Sequence, residues 1–145
     1  MPLSSLSVGR DTTLQIYDPN AGGIVTLTKI TEFESKPDTV RLKSKGLDGV
    51  VIHAVEPDGW SGTITVDRMD PNVDRLFGLL ESNYYAGINI QNQTITQTVK
   101  EADGTYTQYI YAGVALNLDD AGMWSNGKQV TQKLSWCSSK RNVVK

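Results

Sequence analysis

The sequence has 145 residues, of which 39% are hydrophobic and 21% are charged, and its formal net charge is −2. These values are typical of one folded domain and exclude an intrinsically disordered chain. The slight negative charge provides no basic surface for tight binding of duplex DNA.

The chain opens with residues 1–10, which we expect to be an N-terminal arm of a single domain spanning residues 1–145. This segment has neither the basic start nor the long apolar stretch of a secretory signal. No other stretch approaches the roughly 20 apolar residues that span a bilayer. We therefore expect no membrane insertion by this chain and assembly in a cytoplasm.

Apolar and polar residues then alternate at every second position, which predicts β-strands with one buried and one wet face. Clusters of proline, glycine, aspartate and asparagine separate these runs and predict turns between antiparallel strands, among them Lys36-Pro37-Asp38 and Glu56-Pro57-Asp58-Gly59. The predicted strands of this half lie at about residues 11–17, 23–33, 39–45, 50–55 and 60–69.

The strand at residues 39–45 has the sharpest alternation. Val40 and Leu42 share one face, which the pattern predicts to be buried. The basic side chains lie on the other face; they are Arg41, Lys43 and Lys45.

One helix is predicted at about residues 71–86. Asp70 is a favourable N-cap, and Pro71 suits the first helical position, where its missing N–H costs nothing. Gly87 is placed to end the helix in a left-handed conformation. Apolar residues recur at the three- and four-residue spacing of a buried helical stripe; they are Val73, Leu76, Phe77 and Leu80.

Longer strands are predicted after the helix. The run at residues 89–99 is uncharged, and a change of apolar parity predicts a bulge near Asn92 and Gln93. A monomer usually guards such a strand with charge, proline or cover where it lies at an edge, so its uncharged surface favours pairing with a neighbouring copy.

A hairpin turn at Asp103-Gly104 leads to a strand at residues 105–118, where the alternation places Ile110 and Val114 inward and Tyr109 and Tyr111 outward. A strand at residues 128–137 and a short basic tail at residues 138–145 end the chain. About eight strands and one helix predict a mostly β fold, an antiparallel sandwich or barrel with one flanking α-helix.

Residues that could carry chemistry are sparse. The only histidine, His53, lies in an apolar run, where a half-buried structural histidine is expected rather than a catalytic base. The only cysteine, Cys137, fits a small strand residue, and a single cysteine excludes an internal disulfide. We therefore expect no catalytic residue, no metal site and no cofactor.

Two acidic groups leave an alternative open. Asp67, Asp70 and Asp74 surround the predicted helix start, where capping and the helix dipole explain them. Asp119 and Asp120 lie in a predicted loop. A calcium site or a carboxylate pair of a hydrolase is the alternative interpretation of either group.

Tyrosines leave a second alternative open. They lie on the strand at residues 105–118 and at the end of the helix, as residues that favour subunit contacts do. The alternative is a stacking platform of a β-sandwich carbohydrate-binding module. The residues concerned are Tyr84, Tyr85, Tyr106, Tyr109 and Tyr111.

The order of several segments resembles that of tail tube proteins of tailed bacteriophages. Gly59-Trp60-Ser61-Gly62 precedes a strand that ends in Asp67-Arg68 and then the helix. Near the end, Tyr109-Ile110-Tyr111-Ala112-Gly113 is followed by Asp119-Asp120-Ala121-Gly122 and by Lys133-Leu134-Ser135. The resemblance covers roughly residues 25–141 and departs from the expected pattern at Trp136-Cys137-Ser138.

The resemblance implies a β-sandwich or barrel with a flanking helix, a fold shared with the tube proteins of type VI secretion systems. It implies a structural virion protein whose copies form hexameric rings, stacked into the hollow tube that delivers DNA into the host. A contractile tail is the favoured type. The implied partners are further copies, the tail sheath, the terminator and the baseplate, with DNA passing without sequence-specific binding. The implied location is the virion tail, assembled in the host cytoplasm.

The resemblance also implies roles for particular segments. The uncharged strand is the candidate wall of the lumen, although the face that points inward is left open, and the projecting segment at residues 34–59 is the candidate for contacts between stacked rings. A neutral lining suits a DNA conduit because it binds its cargo weakly. The candidate lumen residues are Gln91, Gln93, Thr94 and Thr96; the candidate ring–ring contacts are Arg41, Lys43, Lys45 and Asp48; the candidate salt-bridge groups between subunits are Asp119, Asp120, Lys140 and Arg141.

Overall fold

The computed structural model describes residues 4–25, 27 and 29–144, and within these residues eight strands and one α-helix pack around an apolar core. The fold is mostly β with one flanking helix, which confirms the predicted class. After a 3-10 turn at Gly9–Asp11, the elements are β1 (Thr12–Asp18), β2 (Gly23–Val25), β3 (Ile30–Lys45), β4 (Val51–Asp67), α1 (Asn72–Tyr85), β5 (Gln93–Lys100), β6 (Tyr106–Asp120), β7 (Thr131–Ser138) and β8 (Lys140–Val144).

The strands are antiparallel, and β6 joins two sheets. The strand order is β2-β1-β5-β6-β7-β4-β3, and β8 also pairs with β6. The first half of β6 pairs with β5 and β8, whereas its second half pairs with β7. We call β1, β2, β5, β8 and the first half of β6 the first sheet. The second sheet comprises β3, β4, β7 and the second half of β6.

The transition between the sheets occurs at Gly113, whose φ of 65° is favoured only for glycine. Here the pairing slips by one residue, because Gln93 pairs with Val114 whereas Ile95 pairs with Tyr111. Tyr111 and Val114 both face the core as a result, each with 0% exposure. The bulge expected near Gln93 is present.

The tyrosine orientation predicted for β6 is wrong. Tyr111 is buried and Tyr109 packs partly against the core, although both were expected to face outward. The bulge inverts the parity of the strand before Gly113 relative to the strand after it. The alternation predicted for the whole of β6 is therefore found only in the half that follows Gly113.

Trp136 lies at the centre of the core with 1% exposure. Its ring stacks on Phe33 with centroids 5.7 Å apart and meets the ring of Tyr111 edge-on at 4.7 Å. Trp60 contacts the other side of this group, 6.1 Å from Tyr111. Because these residues come from β3, β4, β6 and β7, the aromatic cluster ties the second sheet to the bend in β6.

Two predicted turns are absent. Both β3 and β4 run straight through the proline segments at residues 36–38 and 56–59. The register shifts there, because Pro37 pairs with Trp60 whereas Thr39 pairs with Pro57. Proline is tolerated at such an irregularity, where the ladder is already interrupted. The result is one long hairpin instead of two short ones.

The helix α1 ends as predicted but begins one residue later than predicted, with Pro71 instead of Asp70 at the N-cap position. Asp70 accepts a bond from the backbone N–H of Asn72 at 3.0 Å, and the helix begins one residue after Pro71. Gly87 adopts φ 73°, and the N–H of Ile88 reaches the carbonyl of Asn83 at 2.9 Å. This pairing ends the helix in a Schellman motif.

Two segments differ from the predicted pattern near the ends of strands. Residues 88–92 are not part of a strand, so the uncharged strand β5 begins only at Gln93. Within the predicted tail at residues 138–145, whose last residue lies outside the described part of the chain, Lys140–Val144 forms β8, which pairs with β6 along Ala112 to Gln108. The pairing is available because β8 continues β7 along the same edge of β6.

Candidate assembly surfaces

The hairpin of β3 and β4 extends far beyond the core. Every residue from 36 to 58 is exposed. Thr39 and Pro57 are paired across the hairpin, and we call residues 39–57 the hairpin arm. A turn at residues 46–49 closes it, and Asp48 accepts a bond from the N–H of Val50 at 3.0 Å. At roughly 3.3 Å per residue, the arm's strands are about 20 Å long.

One face of the hairpin arm is basic. Arg41 pairs with Val55, Lys43 with His53 and Lys45 with Val51, so these side chains share a face. Within the described residues, the three cations form no ion pair. The positive charge of this face is therefore not neutralised within the described part of the chain.

The opposite face of the hairpin arm is apolar. Val40 and Leu42 are 42% and 45% exposed, and Ile52 across the arm is 65% exposed. The prediction that the Val40 and Leu42 face is buried is wrong for the single chain, because the arm has no second layer to pack on. A two-stranded ribbon is at best marginally stable in water by itself. An exposed apolar ribbon of this kind is typical of an interaction surface.

Among the described residues, the outer face of the first sheet carries many polar side chains, two lysines and no carboxylate. Thr94 and Thr96 lie on it, since their neighbours Gln93 and Ile95 are buried with 2% and 0% exposure. Cross-strand register places Tyr17 beside Thr94, and Gln15 and Ile110 beside Thr96. Other residues on this face include Thr13, Thr98, Lys100, Tyr106, Gln108, Asn142 and Lys140.

The four candidate lumen residues therefore do not lie on one face. Thr94 and Thr96 share the outer face, whereas Gln91 lies outside the strand, where its backbone bonds Asn20. Gln93 points into the core, and its amide donates to the buried carboxylate of Asp18 at 3.3 Å. Its side chain consequently cannot line a channel in this conformation.

The candidate salt-bridge groups lie apart in the chain. Lys140 and Arg141 pair with Ala112 and Tyr111, far along β6 from Asp119 and Asp120. Eight residues of strand separate them, or about 26 Å. Any contact between the two groups requires a second copy.

Arg141 already has partners in its own chain. Its guanidinium carbon lies 3.9 Å from the ring centroid of Trp60 and 4.6 Å from that of Tyr109. Cation–π contacts of this kind favour a fixed position for the side chain. Because Trp60 lies at the base of the hairpin arm, the stack connects β8 to the base of the arm.

The carboxylates Asp119 and Asp120 lie at the end of the second sheet opposite the hairpin arm. There Asp67 pairs with Thr131 and Asp120 with Lys133, whereas Trp60, at the base of the arm, pairs with Ser138. Asp119 accepts bonds from Asn117 at 2.7 Å and Ser135 at 2.9 Å. Both carboxylates are exposed.

Large apolar side chains are exposed on the segments that follow β4 and β6. Met123 and Trp124 on the β6–β7 loop are 79% and 69% exposed, and Met69, after β4, is 70% exposed. Arg68 holds this end together: it bonds Asp74 at 3.1 Å and lies 5.1 Å from the ring centroid of Trp124. We call this region the end surface; it comprises Met69, Asp119, Asp120, Met123 and Trp124.

The sequence did not reveal the end surface. The loop was expected to be polar, and only the presence of a tryptophan and a methionine among turn residues could have indicated an exposed apolar site. His53 differs as well, since it is exposed on the hairpin arm rather than half-buried.

The alternative sites do not assemble. Tyr111 is buried and Tyr109 lies under Arg141, so the tyrosines of β6 form no open stacking platform. Asp74 bonds Arg68 and Gln132, as a structural carboxylate does. Among the described residues, no group of three or more histidine, cysteine or acidic side chains is placed to hold a metal. No helix in the described part of the chain is long and apolar enough to cross a membrane.

The sequence matches no protein-family model and no curated protein. Solved structures are nevertheless similar over almost the whole chain. A chain in the cryo-EM structure of the anti-feeding prophage cap, the tube terminating cap, aligns with a TM-score of 0.65 and 8% identity over 99% of this chain and 94% of that chain.

Two structures of an extracellular contractile injection system, PVC, are also similar. The sheath/tube terminator in the extended state gives a TM-score of 0.64 at 10% identity, covering 100% of this chain and 98% of that chain. The sheath-tube complex in the extended state gives 0.55 at 9% identity, covering 90% and 87%. This chain therefore has the fold of components of phage-tail-like contractile injection systems.

Proposed function

We propose that this chain is a structural subunit of a phage tail tube, in which hexameric rings of identical copies stack into a hollow conduit for DNA. The observation that carries the proposal is the hairpin arm, which exposes an apolar face and three unpaired cations on a chain with a tail-component fold. A monomer gains nothing from such an arm, whereas a repeating assembly covers it.

In this proposal the arm contacts the next ring, through the residues around Arg41, Lys43, Lys45 and Asp48. The outer face of the first sheet lines the lumen, with Thr94 and Thr96 at its centre. Between Lys100 and Lys140, which lie on the same face, the centre of this lining is uncharged, and an uncharged lining binds DNA weakly. Asp119, Asp120, Lys140 and Arg141 are available for contacts between copies. The partners of the tube would be sheath, terminator and baseplate proteins, and its place the virion tail.

The proposed role needs no chemistry from the chain itself. A conduit acts through shape and charge, so we propose that the protein is not an enzyme and uses no cofactor.

A second candidate is a subunit that terminates the tube. Two of the similar structures are a tube terminating cap and a sheath/tube terminator, and their TM-scores exceed that of the sheath-tube complex. A terminator would form a single ring, whereas a tube subunit would polymerise.

Electron microscopy and sedimentation velocity of the purified chain test the proposal. Tubes of variable length are the expected result, and isolated rings would favour the terminator. A chain that stays monomeric at high concentration would contradict both.

A shortened variant supplies the matched comparison. Replacing residues 41–55 by an Asn-Gly turn joins two paired strands directly, and Asn-Gly suits a two-residue hairpin. The core lies outside this segment, so the variant is expected to fold but not to stack. Tubes of normal length from this variant would show that the arm is not needed for stacking.

A further inference from the structure

We infer that the hairpin arm of one copy docks on the end surface of a second copy, its basic face toward Asp119 and Asp120. This inference rests on the proposed function and deepens it by naming the surface that receives the arm.

Position supports this pairing. The arm and the end surface lie at opposite ends of β4: its first residue, Val51, is next to the arm's tip, and its last, Asp67, is next to the end surface. Seventeen residues of strand separate the two ends, or about 50 Å. A contact between opposite ends of identical copies is heterologous, so it continues from copy to copy and either closes into a ring or extends as a stack.

Charge supports it as well. The basic face of the arm carries Arg41, Lys43 and Lys45 and no carboxylate. Asp119 and Asp120 are exposed and form no ion pair within the described residues. Opposite charges on two surfaces of the same chain favour association in one orientation and disfavour the arm-to-arm alternative.

The apolar side chains provide the third argument. The arm exposes Val55 at 62% on its basic face and Ile52 at 65% on its apolar face. At the other end of the chain, Met69, Met123 and Trp124 are exposed on the segments that follow β4 and β6. Val55 lies among the three cations on the docking face of the arm, and the end surface carries Asp119 and Asp120, of which Asp120 is paired with Lys133. Each surface thus offers exposed apolar side chains together with charged groups, as a specific interface does.

A charge exchange in the full chain tests this pairing. The arm variant carries Arg41→Glu, Lys43→Glu and Lys45→Glu; the end variant carries Asp119→Lys and Asp120→Lys. Either variant by itself places like charges on the arm and on the end surface. We therefore expect the protein concentration needed for assembly to rise about tenfold or more, as measured by sedimentation velocity and electron microscopy.

Restoring assembly by combining the two sets of substitutions is the decisive part of the test. In an equal mixture, alternating copies of the two variants bring opposite charges together at every contact, and one chain carrying both sets does the same, so each is expected to assemble as the unchanged protein does. A variant that had merely unfolded would not be restored by mixing. The control is Glu81→Lys with Glu101→Lys, the same change of charge outside the end surface, which is expected to leave assembly unchanged.

Failures have distinct meanings. Suppose that the unchanged chain forms tubes. This inference is then overturned, while the proposed function stands, by any one of three results: the end variant assembles normally, the control variant is blocked as strongly as the end variant, or the mixture does not assemble. Binding of a short DNA duplex by the arm, with assembly insensitive to the arm variant, overturns it as well. An unchanged chain that remains monomeric overturns the proposed function and this inference together.

Discussion

At the residue scale, two glycines illustrate how differently the same side-chain addition is tolerated. A Cβ at Gly62 would overlap the backbone oxygen of Glu34 and lie 2.8 Å from the ring of Trp136, at the most tightly packed part of the core. Gly78 is in the middle of α1 with nothing within 4 Å of an added Cβ. Packing decides whether a larger residue is tolerated at position 62, whereas only helix propensity decides it at position 78.

We predict opposite effects of Gly62→Ala and Gly78→Ala on the free energy of unfolding. The first should lower it by about 1–3 kcal/mol because β3 or Trp136 must move. The second should raise it by roughly 0.5–1 kcal/mol because alanine favours the helix. Urea unfolding measures both, and an unchanged Gly62→Ala variant would contradict the packing described here.

Arg141 provides a second prediction at this scale. Arg141→Met retains an apolar stem but removes the charge between Trp60 and Tyr109, so we expect a loss of about 1 kcal/mol in the free energy of unfolding. The adjacent Lys140→Met removes the same charge from an exposed position and should change it by less than about 0.5 kcal/mol. Equal effects in urea unfolding would show that the stack does not stabilise the fold.

At the element scale, the bend in β6 depends on close approach between Gly113 and Ser139. A Cβ on Gly113 would lie 2.7 Å from the hydroxyl oxygen of Ser139 and also requires a left-handed backbone. We predict that Gly113→Ala destabilises the protein less in a Ser139→Gly background than in the unchanged chain. The difference should be about 1 kcal/mol, measured by a double-mutant cycle of unfolding free energies. Strict additivity would contradict the steric explanation.

The same bend explains what the sequence could and could not predict about the elements. Local patterns suffice for α1, since Asp70, Gly87 and the spacing of Val73 and Leu76 act within the helix itself. They fail for Tyr111, because its orientation depends on a slip in pairing with a strand distant in sequence. They fail for Pro37 too, since a proline in a bulge and a proline in a turn have the same local pattern.

The candidate surfaces were predictable to different degrees. The basic residues of the hairpin arm and the uncharged threonines of β5 stand out in the sequence. The burial of Gln93 and the stacking of Arg141 do not, because both depend on partners, Asp18 and Trp60, that only the fold brings near.

At the scale of the whole molecule, the uncharged centre of the outer face of the first sheet leads to a prediction about cargo. Thr94→Lys with Thr96→Lys would raise the number of lysines on the proposed lumen from two per copy, Lys100 and Lys140, to four, repeated around every ring. We expect the assembled variant to retain DNA that the unchanged tube releases, with affinity that falls steeply as salt rises. Protection of DNA from nuclease measures this retention.

A control distinguishes the lumen from the outside of the tube. Ser82→Lys with Asn89→Lys adds the same charge at exposed positions outside the strands of that sheet. DNA bound to this control is expected to be open to nuclease. If both variants protect DNA equally, or neither does, the first sheet does not line the channel.

The continuity of β4 has a mechanical consequence. One backbone runs from beside the arm's tip to the end surface, so in the proposed arm-to-end stacking a pull between copies would enter and leave the molecule through the same strand. Hydrogen bonds between antiparallel strands lie across that direction. The pairing of β4 with β7 is therefore loaded in shear, with its bonds sharing the force together instead of opening one after another. A tube built on such strands resists stretching at the subunit even where the contacts between copies are weak.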